Sequence, residues 1–139
     1  MKVKDVMHKG ATWVDSSTPI SKIAKKMRAE DIGAVPVGEN DRLVGMVTDR
    51  DICCRGLGNR HDPKALTARD VMSKPILYCK ADDEIASALS KMKKSKVRRL
   101  PVIDAKKRLV GVLSLGDVSA KTSREIAGAA LKALAAHHA

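Results

Sequence analysis

The sequence predicts a mixed α+β (α/β) protein built from two pseudo-symmetric β-α-β-β-α repeats packed as one module, with an additional C-terminal helix. Three observations predict it. Lys4-Asp5-Val6-Met7 returns as Arg69-Asp70-Val71-Met72, and Pro36-Val37 as Pro101-Val102, both at an offset of 65 residues. Arg42-Leu43-Val44-Gly45 returns as Arg108-Leu109-Val110-Gly111 at an offset of 66, so the second copy has one extra residue in the turn between these blocks. In both copies a helical apolar period precedes a pair of short apolar runs. A repeat this long, present twice, suggests two similar halves that cover faces neither could bury alone. The 139-residue chain makes one body of ordinary size from halves that would each be marginal.

Taken in order, Thr12-Trp13-Val14 reads as a short strand, and Ser17 and Thr18 supply capping hydroxyls before Pro19, which suits a first helical turn. Ile20, Ile23, Ala24 and Met27 then fall at i, i+3, i+4 and i+7 with Lys22, Lys25 and Lys26 between them, which is one buried stripe on a solvated helix. Residues 34–37 and 43–47 read as a hairpin about a turn at 38–41, and residues 48–57 as a helix stopped near Gly56 and Gly58. The second copy repeats this. Ile76-Leu77-Tyr78 is a strand, and Asp82 and Asp83 open a helix with the stripe Ile85, Ala88, Leu89 and Met92. Residues 100–103 and 109–113 are its paired strands. The expected ranges are 1–58 for the first repeat, 59–68 for a linker, 69–119 for the second repeat and 120–139 for the C-terminal helix and tail. Thr122-Ser123-Arg124-Glu125 has capping-box spacing before that helix, whose apolar positions are Ile126, Ala130, Leu131 and Leu134.

Composition narrows the function classes. Hydrophobic residues make up 44% of the chain, but there is no Phe and only Trp13 and Tyr78 are aromatic, so aliphatic side chains must fill the core. No run approaches the roughly 20 apolar residues of a membrane span, and the N-terminus lacks an apolar signal core, so the expectation is a cytoplasmic protein with no membrane partner. Cys53, Cys54 and Cys79 are odd in number and lack C-x-x-C spacing, which favours reduced thiols. A metal site from Cys53, Cys54 and His61 competes with a helix end carrying two small residues, and the latter is the reading: no metal. The formal charge of +11 favours anionic partners, although the lysines are spread without aromatic interleaving, as on a solvated surface. P-loop and metal-hydrolase spacings are absent and the histidines neighbour no nucleophile, so the chain reads as no enzyme and no required cofactor is expected.

The chemistry concentrates in one duplicated block. Gly45-Met46-Val47-Thr48-Asp49-Arg50-Asp51 matches Gly111-Val112-Leu113-Ser114-Leu115-Gly116-Asp117. An apolar strand ends and a helix begins at the hydroxyl residue, and the Asp three places on lies on the same side. An ionised carboxylate there can accept hydrogen bonds from the two vicinal hydroxyls of a ribose. The same spacing also makes a helix-capping arrangement, and both readings stand at this point.

With the Asp-Val-Met openings, the Val35-Pro36-Val37 and Leu100-Pro101-Val102 strands and this block in both copies, residues 1 to about 119 resemble a tandem pair of CBS domains, the Bateman module. The resemblance implies a regulatory protein that binds an adenosine-containing ligand (AMP, ADP, ATP or S-adenosylmethionine) in clefts between the repeats, forms homodimers and signals to a protein partner in trans. It implies ribose contacts for Thr48 with Asp51 and Ser114 with Asp117, phosphate contacts for Arg98 and Arg99, and a second cation in Arg50. The base would lie against the segments before each first helix, Gly10-Ala11-Thr12 and Pro75-Ile76-Leu77. Gly33 and Ala34 stand where the first copy would match Arg98 and Arg99, so the two sites are expected to be unequal. A nucleic-acid binder using the basic surface and a ligand-free interaction scaffold are the alternatives.

Overall fold

The computed structural model describes residues 1–10, 13–58, 62–73 and 76–136. A 3₁₀ turn over Val3–Asp5 leads to β1 (His8–Lys9), β2 (Val14–Asp15), α1 (Ile20–Glu30), β3 (Ala34–Glu39), β4 (Arg42–Thr48) and α2 (Asp49–Asp51), which runs on as a π-helical turn over Ile52–Leu57. A 3₁₀ turn at Pro63–Ala65 precedes α3 (Ala68–Val71), β5 (Cys79–Lys80), α4 (Ile85–Ser95), β6 (Arg99–Ile103), β7 (Leu109–Ser114), α5 (Leu115–Lys121) and α6 (Arg124–Ala136).

These elements form two compact units. An inner unit spans Thr12–Leu77, and a terminal unit joins Met1–Ala11 to Tyr78–Ala139. Each has its own sheet, in the order β2-β3-β4 in the inner unit and β1-β7-β6-β5 in the terminal unit. In both, the strand before the long helix (β2 or β5) runs parallel to the strand after it (β3 or β6), which pairs antiparallel with the next (β4 or β7), with matching irregularities at Val37/Gly38 and Val102/Ile103, and β1 adds antiparallel to β7.

The repeated Asp-Val-Met openings are exchanged between the repeats' bodies. Met7, from the first opening, lies against Gly111 of the second block, while Met72 lies against Gly45 of the first. A Cβ added at Gly45 would sit 2.6 Å from the Met72 sulfur, and one at Gly111 would sit 2.5 Å from the His8 carbonyl oxygen, so the glycines permit the close approach. Val6 and Val71 are fully buried, and Asp5 and Asp70 each accept a backbone amide three residues back, from Lys2 and Thr67. The exchange also supplies the helix starts: the Ile20 amide donates to the Leu66 carbonyl, and the Ile85 amide to the Met1 carbonyl. All three positions of the motif therefore have a structural cause.

Several local expectations need correction. The first strands are Val14–Asp15 and Cys79–Lys80, where pairing with β3 and β6 begins, so Trp13 and residues 76–78 of the expected runs are not strand, while Thr12 lies outside the described residues. Trp13 lies outside the ladder with its ring over Gly38, whose place in the second copy is taken by Ile103, and Tyr78 is left 40% exposed. Neither Ser17 nor Thr18 caps α1. Asp15 instead accepts from the Ser17 amide and hydroxyl, and Asp83 likewise accepts the Lys80 amide rather than opening α4. The stripes of α1 and α4 bury Ile20, Ile23, Met27 and Ile85, Ala88, Met92, with Ala24 exposed. The helix expected over 48–57 is α-helical only to Asp51 before it widens. In this π turn Arg55 donates to the Val71 and Met72 carbonyls, both at 3.2 Å.

The extra residue of the second copy is in the turn, as the offsets require. Gly38 pairs with Leu43 and Ile103 with Leu109, leaving four residues between them in one hairpin and five in the other. Asn40 and Asp41 both take positive φ (51° and 60°), which suits a tight two-residue hairpin loop. The C-terminal helix α6 packs on α5 and α4 within the terminal unit. It does so through Ala130 and Ala133, and Leu131 is 61% exposed, so small side chains rather than the expected leucine make the close helix contact. Among the described residues no helix is long and apolar enough to cross a membrane.

Candidate functional site

Each unit carries one hydroxyl–carboxylate pair where its last strand turns into a helix. In the inner unit the Thr48 amide donates to Asp51 Oδ2 at 2.9 Å, and the Asp51 amide donates to Thr48 Oγ1 at 3.1 Å. In the terminal unit the Ser114 amide donates to Asp117 Oδ2 at 3.2 Å, and the Asp117 amide donates to Ser114 Oγ at 2.9 Å. Both are reciprocal capping boxes, so the capping reading of the duplicated block is realised. Capping occupies one oxygen of each carboxylate. Among the described residues Oδ1 of Asp51 and Oδ1 of Asp117 take no hydrogen bond, and these atoms are free to accept a ligand hydroxyl.

The environments differ. Asp51 is buried, at 8% exposure, and its Oδ2 also accepts the Ser73 hydroxyl at 3.3 Å. Ser73 was not among the expected site residues. It follows the second Asp-Val-Met directly and bridges to Met46, and its counterpart one repeat earlier is His8, which pairs with Val112. Asp117 is half-buried and has no such third partner among the described residues.

Strand register places the expected phosphate cations. Arg99 lies directly across from Ser114, so their side chains leave the same face of the sheet; in the inner unit the same pair is Ala34 and Thr48. The Arg98 carbonyl accepts the Leu115 amide at 2.9 Å, and the Gly33 carbonyl accepts the Asp49 amide at 3.0 Å. Arg98 and Arg99 therefore flank the terminal unit's box, and Gly33 and Ala34 flank the inner one. Both arginines are half-buried, and neither forms an ion pair among the described residues. Arg50 is exposed beside Asp51, its amide donating to Asp49 Oδ1 at 2.9 Å.

Of the expected base-contacting residues, Ile76 and Leu77 are half-buried in irregular chain, while Ala11, Thr12 and Pro75 lie outside the described residues. His61, weighed with Cys53 and Cys54 as a metal ligand, also lies outside them. Among the described residues no group of three or more His, Cys, Asp or Glu side chains is arranged to hold a metal.

Two copies of a β-α-β-β-α body, each closing on a hydroxyl–carboxylate box at a strand–helix junction, define a tandem-repeat class of module. The chain belongs to the CBS-domain family, whose model matches residues 3–55 and 68–122. It is 40% identical over 117 residues to Hypoxic response protein 1 of Mycobacterium tuberculosis, covering 84% of this chain and 81% of that protein. It is 35% identical over 130 residues to the CBS domain-containing protein YhcV of Bacillus subtilis, covering 93% and 91%. Among solved structures, Hypoxic Response Protein I with two coordinated zinc ions matches with a TM-score of 0.77 at 38% identity, covering 88% of this chain and 100% of that one. The CBS domain pair of protein MJ0100, in complex with 5′-methylthioadenosine and S-adenosyl-L-methionine, matches with a TM-score of 0.77 at 26% identity, covering 86% and 94%.

Proposed function

We propose that this CBS pair is a regulatory sensor of an adenosine-containing ligand, either an adenine nucleotide or S-adenosylmethionine. Asp117 with Ser114 and Asp51 with Thr48 accept the ribose hydroxyls, Arg98 and Arg99 meet phosphate, and Ile76 and Leu77 contribute to the base contact. The observation that carries the reading is the duplicated box whose carboxylates spend one oxygen on the cap and keep the other available. The adenosine ligands bound by MJ0100 support the ligand class. The protein acts by linkage, as a homodimer that reports ligand state to a protein partner in trans: a ligand shifts a conformational equilibrium only by its differential affinity for the two states. Thermal unfolding against AMP, ADP, ATP, S-adenosylmethionine, NAD and GTP tests it. A ligand at 100 times its dissociation constant stabilises by about 2.7 kcal/mol. A panel in which no adenosine compound moves the midpoint defeats the proposal.

One observation favours a second reading, binding to nucleic acid. The terminal unit holds sixteen of the 27 Lys and Arg residues but only seven of the 16 acidic ones. Phosphate-backbone binding weakens steeply with salt, so a titration of duplex DNA and RNA at rising ionic strength separates the readings.

A further inference from the structure

The two capping boxes share backbone geometry but not charge. The segment from the end of the first long helix to the strand opposite the box reads Arg28-Ala29-Glu30-Asp31-Ile32-Gly33-Ala34 in the inner unit and Lys93-Lys94-Ser95-Lys96-Val97-Arg98-Arg99 in the terminal unit. One cation and two anions in the first stand against five cations and no anion in the second. The backbones match through this stretch: Asp31 and Lys96 end their helices in the same left-handed conformation, with φ of 53° and 54°. Ala34 faces Thr48 as Arg99 faces Ser114. The helix after each box extends the contrast, because Asp49 and Arg50 precede Asp51 where Leu115 and Gly116 precede Asp117. Glu30 is paired with Lys26 at 2.7 Å, so substitution on a shared frame has removed the excess of cations beside the inner box without moving the group that would hold a ribose.

Resting on the adenosine reading above, we propose that the two sites sort adenosine ligands by the charge of the 5′ substituent. The terminal unit takes 5′-phosphorylated adenosine, and the inner unit takes adenosine carrying a neutral or cationic 5′ group. In the terminal unit Arg98 and Arg99 are half-buried residues without a carboxylate partner among the described residues, a disposition that a phosphate completes with bidentate bonds. In the inner unit a phosphate would approach the carboxylates of Asp49 and Asp51, beside which Arg50 is the adjacent cation among the described residues, whereas an uncharged thioether or a sulfonium meets no such repulsion.

Calorimetric titration of the full chain with AMP and with 5′-methylthioadenosine, separately and each in the presence of the other, tests the assignment. The expected result is one site for each ligand and additive occupancy. Arg98→Ala with Arg99→Ala weakens AMP at least tenfold and changes 5′-methylthioadenosine less than threefold, and Asp51→Asn does the reverse. Raising salt weakens AMP binding and leaves the neutral ligand unaffected. Competition of the two ligands for one site, or equal weakening of both by the arginine pair, overturns the sorting while leaving adenosine binding intact. Failure of both ligands to bind overturns the adenosine reading and the sorting with it.

Discussion

Replacement of Asp117 separates its two duties. Asp117→Ala removes one hydrogen bond, from the Ser114 amide to Oδ2 (3.2 Å), and leaves the Ser114 Oγ cap on the helix amide dependent on backbone alone. The loss is about 1 kcal/mol. An unfolding entropy of about 2.1 cal/mol/K per residue gives roughly 0.3 kcal/mol/K for a chain of 139 residues, so the unliganded midpoint falls by about 3 °C. The same constant turns about 2.7 kcal/mol of ligand stabilisation into about 9 °C, the shift that AMP should give at 100 times its dissociation constant. Asp117→Asn keeps an acceptor oxygen for the Ser114 amide but places an NH₂ donor where Oδ1 was. It should melt within about 1 °C of the parent without ligand and lose most of the AMP shift. Differential scanning calorimetry of the three proteins with and without AMP measures all six midpoints. An alanine variant that melts lower yet keeps the full AMP shift would show that Asp117 caps its helix and does nothing else.

The remaining expectations follow from packing and charge. Burial pushes the Cys79 thiol up to about 12, while Cys53 and Cys54 are exposed, so iodoacetamide at pH 8 should label two cysteines of the native protein and three only after unfolding. Gly111→Ala should destabilise more than Gly45→Ala, because the added carbon meets the His8 carbonyl in one case and a flexible Met72 side chain in the other; urea midpoints give the order. Gly128→Ala, with nothing within 4 Å of the new carbon on α6, should stabilise by about 0.5–1 kcal/mol. Three carboxyls sit below their ordinary value of 3.8: Asp82 through the Lys4 ammonium, Asp104 through the Arg108 amide and Asp15 through the Ser17 hydroxyl. Their stabilisation is complete above that value and lost as pH falls through the lowered ones, so midpoints measured from pH 5 to pH 2 should drop on the acid side, less so in Asp82→Asn.

Much of this architecture was legible because duplication marks what packing demands. The offset change from 65 to 66 located the extra residue in the hairpin turn, where the strand registers put it. The hydroxyl–Asp spacing was legible as a cap, which both junctions realise. The exchange of openings was not legible: Met7 and Met72 read as ordinary apolar residues, and nothing local in the chain distinguishes packing on Gly111 from packing on Gly45. Ser73 was invisible as a partner of Asp51 for the same reason, its approach depending on the bridge to Met46. The helix starts were misread because Asp15 holds the Ser17 hydroxyl, and the Ile20 amide is satisfied by a carbonyl 46 positions away, at Leu66.

The central claim is that a carboxylate at a strand–helix junction holds the vicinal diol of a ribose. Equilibrium titration of the protein with AMP and with 2′,3′-dideoxy-AMP reads that contact alone, because the two ligands share base and phosphate. Loss of two hydrogen bonds to a charged acceptor, each about 1.5–3 kcal/mol, should weaken the dideoxy ligand by about a hundredfold or more. Equal affinity for both would contradict the account.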